Sequence, residues 1–427
     1  MKSLKEMSKT ELLGLRQEWQ KEYENFQKKG LTLDMSRGKP SVEQINLSME
    51  MMDILNSQTN LVGEQGIDCR NYGLLDGIEE AKRLLAEINE VAVENLILYG
   101  NSSLSIMYDM ISRSFSHGIT GNTPWHKLEK VKFLCPVPGY DRHFLITEYF
   151  GIEMICVPMT EKGPDMDLIE SLVEEDEEIK GIWCVPKYSN PQGITYSDET
   201  VIRFANLKPA AKDFRIYWDN AYSIHHLYEE KQDFLLEILK ECKKAGNPDI
   251  VFKFCSTSKV TFPGSGVAAL AASTANLNDI KKQLVIQTIG PDKVNQLRHA
   301  RFFANVDDVK RHMMKHAEII RPKFEAVLSI LDEHLSGLDA GTWIKPRGGY
   351  FISFDALPGC AKAIVKKAKE AGVVLTPAGA TYPYGKDPED KNIRIAPTFP
   401  SLDEMVNAAE LFSLCVKLVS VEKYIAS

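Results

Sequence analysis

The segment Val251-Phe-Lys-Phe-Cys-Ser-Thr-Ser-Lys-Val-Thr-Phe-Pro-Gly-Ser-Gly266 decides how the rest of the chain is read. Its first residues are mostly β-branched or aromatic and follow an Asn-Pro-Asp breaker at 247–249, which predicts a short buried strand over Val251–Cys255. Small hydroxylated residues, Ser256-Thr-Ser258, then deliver Lys259 into a loop that closes with Pro-Gly-Ser-Gly at 263–266. An amine at the exit of a buried strand is partly desolvated, so its pKa falls and it becomes a usable nucleophile or base. The plainer alternative is a surface lysine at a strand end, and the choice depends on what else converges on that loop.

Outward from this segment, apolar strand-like runs alternate with helical patterns. Strands are predicted at Lys132–Val137, Glu153–Pro158, Ile182–Val185, Arg215–Trp218 and Val267–Ala272, with helices such as Asp165–Glu175 between most of them. The alternation predicts an α/β fold with a mostly parallel sheet covered by helices, in which ligands gather at the carboxyl ends of the strands. Conspicuous loops sit at those ends: Pro136-Val-Pro-Gly-Tyr140, Pro186-Lys-Tyr-Ser-Asn-Pro-Gln-Gly193, Asp219-Asn-Ala-Tyr222 and the Lys259 loop. Earlier, the strand Leu96–Tyr99 runs into Gly100-Asn-Ser-Ser-Leu-Ser105 and a helix, where N–H groups and hydroxyls suit a phosphate or simply cap the helix. Asp76 is expected to cap the helix from Gly77 to about Glu90, whose Ile78, Ala81, Leu84, Leu85 and Ile88 share a face.

Residues 1–30 read as an amphipathic helix carrying Leu12, Leu13, Leu15, Trp19 and Tyr23, followed by an extended piece that ends in Arg37-Gly-Lys-Pro40. Two cations flanking Gly38 suit a carboxylate, or a solvated turn. Beyond Val309–His334, a long helix, come the strand Tyr350–Phe354, the helix Cys360–Ala371, the strands Val373–Thr376 and Asn392–Ala396, and a helix over Leu402–Val419. The expected organisation is an N-terminal arm and part of a small domain over 1–60, a large domain over 61–310, and the rest of the small domain over 311–427.

With 427 residues the chain exceeds one compact core. A net charge of −8, with basic residues dispersed among acidic ones, argues against a nucleic-acid footprint, and no apolar run approaches a bilayer span. The first ten residues lack the apolar core and cleavage site of a signal peptide, so a cytoplasmic location is expected. The eight cysteines form no Cys-x-x-Cys pair and read as reduced structural thiols; no metal site is expected.

Taken in order, the Gly/Ser loop at 100–105, Asn-Pro-Gln-Gly at 190–193, Asp-x-Ala-Tyr at 219–222, Ser-x-Ser-Lys at 256–259 and Asn-Ile-Arg-Ile-Ala-Pro around Arg394 resemble the class I/II aminotransferases of the aspartate aminotransferase fold, fold type I, over nearly the whole chain. Gly-Asn-Ser-Ser-Leu at 100–104 and Ile-Gly-Pro-Asp-Lys-Val-Asn-Gln-Leu-Arg-His at 289–299 are similar to a divergent bacterial subgroup related to the aminotransferase-like domain of some transcriptional regulators.

The resemblance implies pyridoxal 5′-phosphate as cofactor, a large domain with a seven-stranded type of sheet, and a homodimer with shared sites. It gives Lys259 the Schiff-base and proton-transfer roles, Asp219 the partner of the pyridine nitrogen, and Asn190 and Tyr222 the ring phenolate. Tyr140 would stack on the ring. Asn101, Ser102, Ser103, Ser256 and Ser258 would serve the phosphate, with Tyr72 reaching in from the neighbouring subunit. Arg394 would grip the substrate α-carboxylate, near Gly38, Arg37 and Asn190.

Each of these residues also has a bland reading, as a turn, a cap, a core tyrosine or a strand-end arginine. One departure stands out: the family's arginine shortly after the lysine is replaced here by Ser265-Gly-Val267, which leaves Arg298 or Lys293 to substitute. Arg37, Lys39, Lys293, Arg298 and Arg301 are all candidates for a distal substrate carboxylate. The expected reaction is transamination between L-aspartate and 2-oxoglutarate. Turnover of aromatic or neutral amino acids, a lyase reaction, and a non-catalytic ligand-binding module are the rivals.

Overall fold

The computed structural model describes residues 2–426. Its centre is an eight-stranded sheet in which Lys132–Val137, Ile179–Cys184, Arg215–Asp219 and Val251–Ser256 lie side by side and parallel. Each is almost wholly buried, as expected where helices cover both faces. Because all four run in one direction, their carboxyl ends share one edge, and the loops after Val137, Cys184, Asp219 and Ser256 open there together. Glu153–Thr160 continues the parallel set, whereas Ala268–Ala271 runs antiparallel to both neighbours, Val251–Ser256 and Leu96–Leu98. The strand beyond the expected seven is the two-residue piece Gly163–Pro164, too short to show in an apolar pattern.

Side-chain alternation along Val251–Ser256 sorts its residues between cores. Phe252 and Phe254 join the cluster under the helix Ser103–His117, while Val251 joins a cluster with Ile216 and Trp218 on the other face. A three-stranded antiparallel sheet, Gly341–Trp343, Ile352–Ala356 and Asn392–Ile395, carries Arg394, and the parallel pair Leu33–Met35 and Val373–Leu375 ties the N-terminal segment to the C-terminal region. The helix Val306–Leu335 joins two cores: Val309 and Met313 sit with the large-sheet residues, and Ile320, Phe324 and Leu331 pack with the C-terminal helix Leu402–Ala426.

Three local expectations change. Asp76 does not cap the helix Glu79–Asn89, whose N-cap Ile78 makes no side-chain cap bond; its carboxylate pairs instead with Lys82 at 3.5 Å and Lys281 at 2.7 Å, stronger partners than an N–H. Leu13 lies on the exposed face of the helix Lys9–Lys28, while Leu12, Trp19 and Tyr23 are buried. The strand expected from Tyr350 starts at Ile352, because the preceding Gly348 and Gly349 turn against Tyr188 and His225. All eight cysteines are free, and Cys156 alone is exposed among them. Among the described residues no helix is long and apolar enough to cross a membrane, and no group of His, Cys, Asp or Glu could hold a metal ion.

Candidate active site

The loops at the shared sheet edge enclose a cavity lined by Ser102, Ser103, Tyr140, Asn190, Asp219, Tyr222, Ser256, Ser258 and Lys259, among others. Residues drawn from five separate loops therefore meet.

Asp219 ends its strand with 3% of its surface exposed. Its Oδ2 accepts a hydrogen bond from His143 Nε2 at 3.1 Å, whereas Oδ1 is buried and receives none from any described residue. His143 is held in turn. Its ring stacks on Trp183 with centres 4.4 Å apart, Trp183 Nε1 donates to Thr147 Oγ1 at 2.8 Å, and that hydroxyl donates to the His143 carbonyl at 2.7 Å. A carboxylate fixed on one oxygen and unmet on the other is built to accept a donor from the cavity, because a buried lone pair without a partner costs about 1–3 kcal/mol.

Lys259 makes no hydrogen bond within the described residues; its Nζ lies 5.0 Å from the centre of the Tyr222 ring and 5.9 Å from that of Tyr350. Burial lowers its pKa below that of an ordinary lysine, and the charge of Asp219 opposes that shift. The loop itself is rigidly held. The Val260 carbonyl accepts from His312 Nε2 at 2.9 Å and His316 Nε2 at 3.1 Å, and the hydroxyls of Thr257 and Thr261 meet His299 Nε2 at 3.1 and 2.9 Å. Burial also raises the pKa of the phenols of Tyr222 and Tyr140, which keeps them protonated and able to donate.

Opposite these groups lies a small polar cradle. Ser102 takes the N-cap position of the helix Ser103–His117 without making a side-chain cap bond, so its hydroxyl is not committed to that helix. Ser256 Oγ donates to Ser258 Oγ at 3.0 Å, and Ser258 Oγ donates to the Asn101 carbonyl at 3.2 Å. Gly266 lets the two loops meet, since a Cβ there would stand 2.8 Å from the Asn101 oxygen. The Asn101 side chain is exposed and donates to the Gly264 carbonyl at 3.3 Å; it braces the neighbouring loop and does not line the cavity.

Arg394 is buried on its strand, with its guanidinium 4.8 Å from the centre of the Phe351 ring. Nη1 donates to Asp141 Oδ1 at 2.8 Å and Asn190 Oδ1 at 3.3 Å, and Nε to Thr376 Oγ1 at 3.3 Å. A carboxylate arriving here meets a fork already oriented, with Asp141 as the anion it displaces. Gly38 packs against the same Phe351, into whose ring any side chain would drive, while Arg37 is exposed beside it.

The remaining candidates lie elsewhere. Tyr72 is 79% exposed and outside its own chain's cavity. Lys293 is buried and donates to the Gly73 carbonyl at 2.9 Å, Lys39 covers the Phe399 ring, and Arg301 is exposed. Arg298 bonds Asn295, whose Nδ2 holds the carbonyls of Ser265 and Gly266, and its buried Nε has no partner. Sequence reading passed over His143, Asp141, Thr376 and Phe351. Only His143 left a trace, one helical turn after Tyr140 in the chain.

The unmet Asp219 Oδ1, the free amine and the hydroxyl cradle fit one kind of ligand: an aromatic ring with an N–H at one end, a phosphate at the other, and an electrophilic carbon within reach of Lys259.

A family model described as aspartate amino-transferase matches residues 7–427. An aspartate aminotransferase of Corynebacterium glutamicum is 44% identical over 95% of this chain and 93% of its own. A crystal structure of an aspartate transaminase from Corynebacterium glutamicum superposes with a TM-score of 0.96 at 42% identity, covering 99% of each chain. The α-aminoadipate aminotransferase of Thermus thermophilus, solved with N-(5′-phosphopyridoxyl)-L-leucine, shares the fold at a TM-score of 0.74, with 19% identity over 91% of this chain and 92% of that one.

Proposed function

The chain belongs to the aspartate aminotransferase family, and from that premise we propose that it transfers the amino group of L-aspartate to 2-oxoglutarate, giving oxaloacetate and L-glutamate. It is an aminotransferase that uses pyridoxal phosphate. The observation that carries the site assignment is the pair formed by a free, buried Lys259 amine and the unmet Asp219 Oδ1. The choice of aspartate as donor rests on the Corynebacterium glutamicum relatives.

Pyridoxal phosphate supplies, when bound, an electron sink for the pair left at the substrate Cα as its proton departs. Asp219 Oδ1 would accept from the ring nitrogen and favour its protonated form, while His143 holds the other oxygen so that the carboxylate does not turn. Tyr222 and Asn190 would donate to the ring's phenolate oxygen, and Tyr140 would stack on the ring. Ser102, Ser103, Ser256 and Ser258 would hold the phosphate, and Asn101 braces the loop from behind. Lys259 would hold the cofactor through its amine until the substrate amine takes its place there; the freed Nζ would then be the base that takes the proton from the substrate Cα, and burial, which lowers its pKa, favours the neutral amine that a base needs. Arg394 fixes the α-carboxylate and so sets which Cα bond faces the amine.

The same reading makes the protein a cytoplasmic homodimer in which the exposed Tyr72 completes the partner's phosphate site. Residues 1–60 and 311–427 form a small domain against the large domain 61–310. Arg37 or a cation of the neighbouring subunit takes the distal carboxylate.

The test is spectral. Purified protein loaded with cofactor should show a visible absorption band that L-aspartate shifts toward the ultraviolet, with one oxaloacetate released per site. A band that persists with aspartate but shifts with an aromatic amino acid would remove aspartate and keep the site.

A further inference from the structure

Lys259 Nζ has no hydrogen bond among the described residues, so its place is set by its backbone, and that backbone is held at the next residue. The Val260 N–H donates to the Thr257 carbonyl at 2.9 Å, and the Val260 carbonyl accepts from two buried histidines of the helix Val306–Leu335, His312 and His316. A neutral imidazole donates from one nitrogen only, so this hold depends on which nitrogen of His316 carries the proton.

Gln44 decides that. It is fully buried in the short helix Val42–Asn46, and its Oε1 accepts from the Ser41 N–H at 3.0 Å. That bond fixes the amide, because the opposite orientation would set an NH₂ group against another N–H. Nε2 therefore points away from Ser41, and its two hydrogens go to His316 Nδ1 at 3.1 Å and to the Tyr350 hydroxyl at 3.1 Å. An amide nitrogen donates and does not accept, so His316 Nδ1 is the bare nitrogen and Nε2 carries the proton that meets the Val260 carbonyl.

Without that donor the other tautomer becomes available. His316 Nε2 would then turn a lone pair toward the Val260 oxygen and toward His312 Nε2, each 3.1 Å away. The Val260 carbonyl would lose one donor and share the other. Gln44 also ties the Lys259 loop to the segment that carries Arg37 and Gly38. At the start of that segment the Ser36 carbonyl accepts from Thr376 Oγ1 at 2.7 Å, the same hydroxyl that receives Arg394 Nε.

We propose that Gln44 is a positioning residue for the transamination: by holding His316 in its Nε2-protonated form it fixes the Val260 carbonyl, and with it the backbone from which Lys259 reaches the substrate Cα. The inference rests on the role given to Lys259 above.

The test is the imidazole ¹⁵N spectrum of cofactor-loaded, ¹⁵N-histidine-labelled protein, with the His316 signals identified by their loss in His316→Gln, read beside the kinetics of two variants. In the parent, His316 should be protonated at Nε2 and bare at Nδ1. Gln44→Met should release it toward the Nδ1-protonated form and lower kcat about tenfold or more, with KM for the amino donor changed less than about threefold. Ser41→Ala removes the hydroxyl that accepts from the Gln44 N–H at 3.4 Å but leaves the donor to His316, so it should keep both the parent tautomer and the parent kcat. A parent His316 protonated at Nδ1 would overturn the proposal, even if Gln44→Met failed to fold. So would a folded Gln44→Met with parent tautomer or parent kcat, or an equal loss of kcat in Ser41→Ala, which would make the segment a structural support only. The spectrum is recorded without substrate, and kcat is taken with whichever amino acid shifts the visible band, so failure of the aspartate reading would leave this result standing.

Discussion

Lys253 and Lys259 are six positions apart on one strand and its exit loop, and the protein treats them in opposite ways. Lys253 is buried mid-strand, where its amine donates to Glu237 Oε1 at 2.8 Å and to the Asn89 carbonyl at 2.7 Å. Lys259 has aromatic ring faces around it, no hydrogen bond, and Asp219 only at a distance. A buried ammonium with its donors satisfied is a structural part whose removal strands its partner. A buried amine left unsatisfied is kept ready for something that arrives later. The difference separates what holds the fold from what performs the reaction, and it can be broken experimentally at either end.

The largest effect is expected at Lys259. Lys259→Ala should reduce turnover by at least ~10⁴-fold, since one side chain both binds the cofactor and carries the proton. Thermal stability should stay level or rise, because no native hydrogen bond is lost. A variant that still turned over substrate within tenfold of the parent would refute the mechanism.

Lys253→Met should give the reverse pattern. It strands the Glu237 carboxylate and should cost about 3–5 kcal/mol in urea unfolding, with the catalytic rate of the folded fraction changed only a few-fold. Glu237 also caps the helix Ile238–Lys244 through bonds to the N–H groups of Leu239 and Lys240, so part of that charge remains satisfied and the lower end of the range is expected. Equal loss of rate and stability in both lysine variants would erase the distinction.

The smallest effect sharpens the comparison through pH. The histidines that clamp the Lys259 loop are buried neutral: His299 is pulled from 6.5 down to about 4 and His316 to about 3, mainly by burial. The folded pKa being the lower one, the unfolded chain takes up protons first. Stability from these residues is complete above about pH 6.5 and falls as pH drops toward the folded values. At pH 5 each contributes a loss of about 2 kcal/mol relative to neutral pH. The urea midpoint should therefore decline between pH 7.5 and 5, and less so in His316→Gln; parallel pH profiles for the two proteins would remove His316 from the account.

Much of the fold was legible because a parallel sheet buried on both faces leaves unbroken apolar runs. Lys132–Val137 was found to the residue, and Val251–Ser256 and Arg215–Asp219 to within one at a single end. The catalytic loops were legible for a related reason, since strand ends in such a sheet are where polar side chains interrupt those runs. Of the three-residue strands, Leu33–Met35 showed only as part of an extended piece and Gly341–Trp343 not at all, because their partners lie hundreds of residues away or across a turn, and three residues establish no period.

By itself the sequence determined the class of sheet, the order of the loops and most of the polar residues that face the cavity, because periodicity and punctuation are local properties of a chain. Only the tertiary structure decided which charges are spent. Asp76 is drawn to two lysines in place of a helix N-terminus, Lys293 is taken up by the Gly73 carbonyl, His143 holds one oxygen of Asp219, and Asp141 waits on Arg394. Each outcome is settled by the nearest partner in space across a desolvated gap, and distance along the chain carries no information about that.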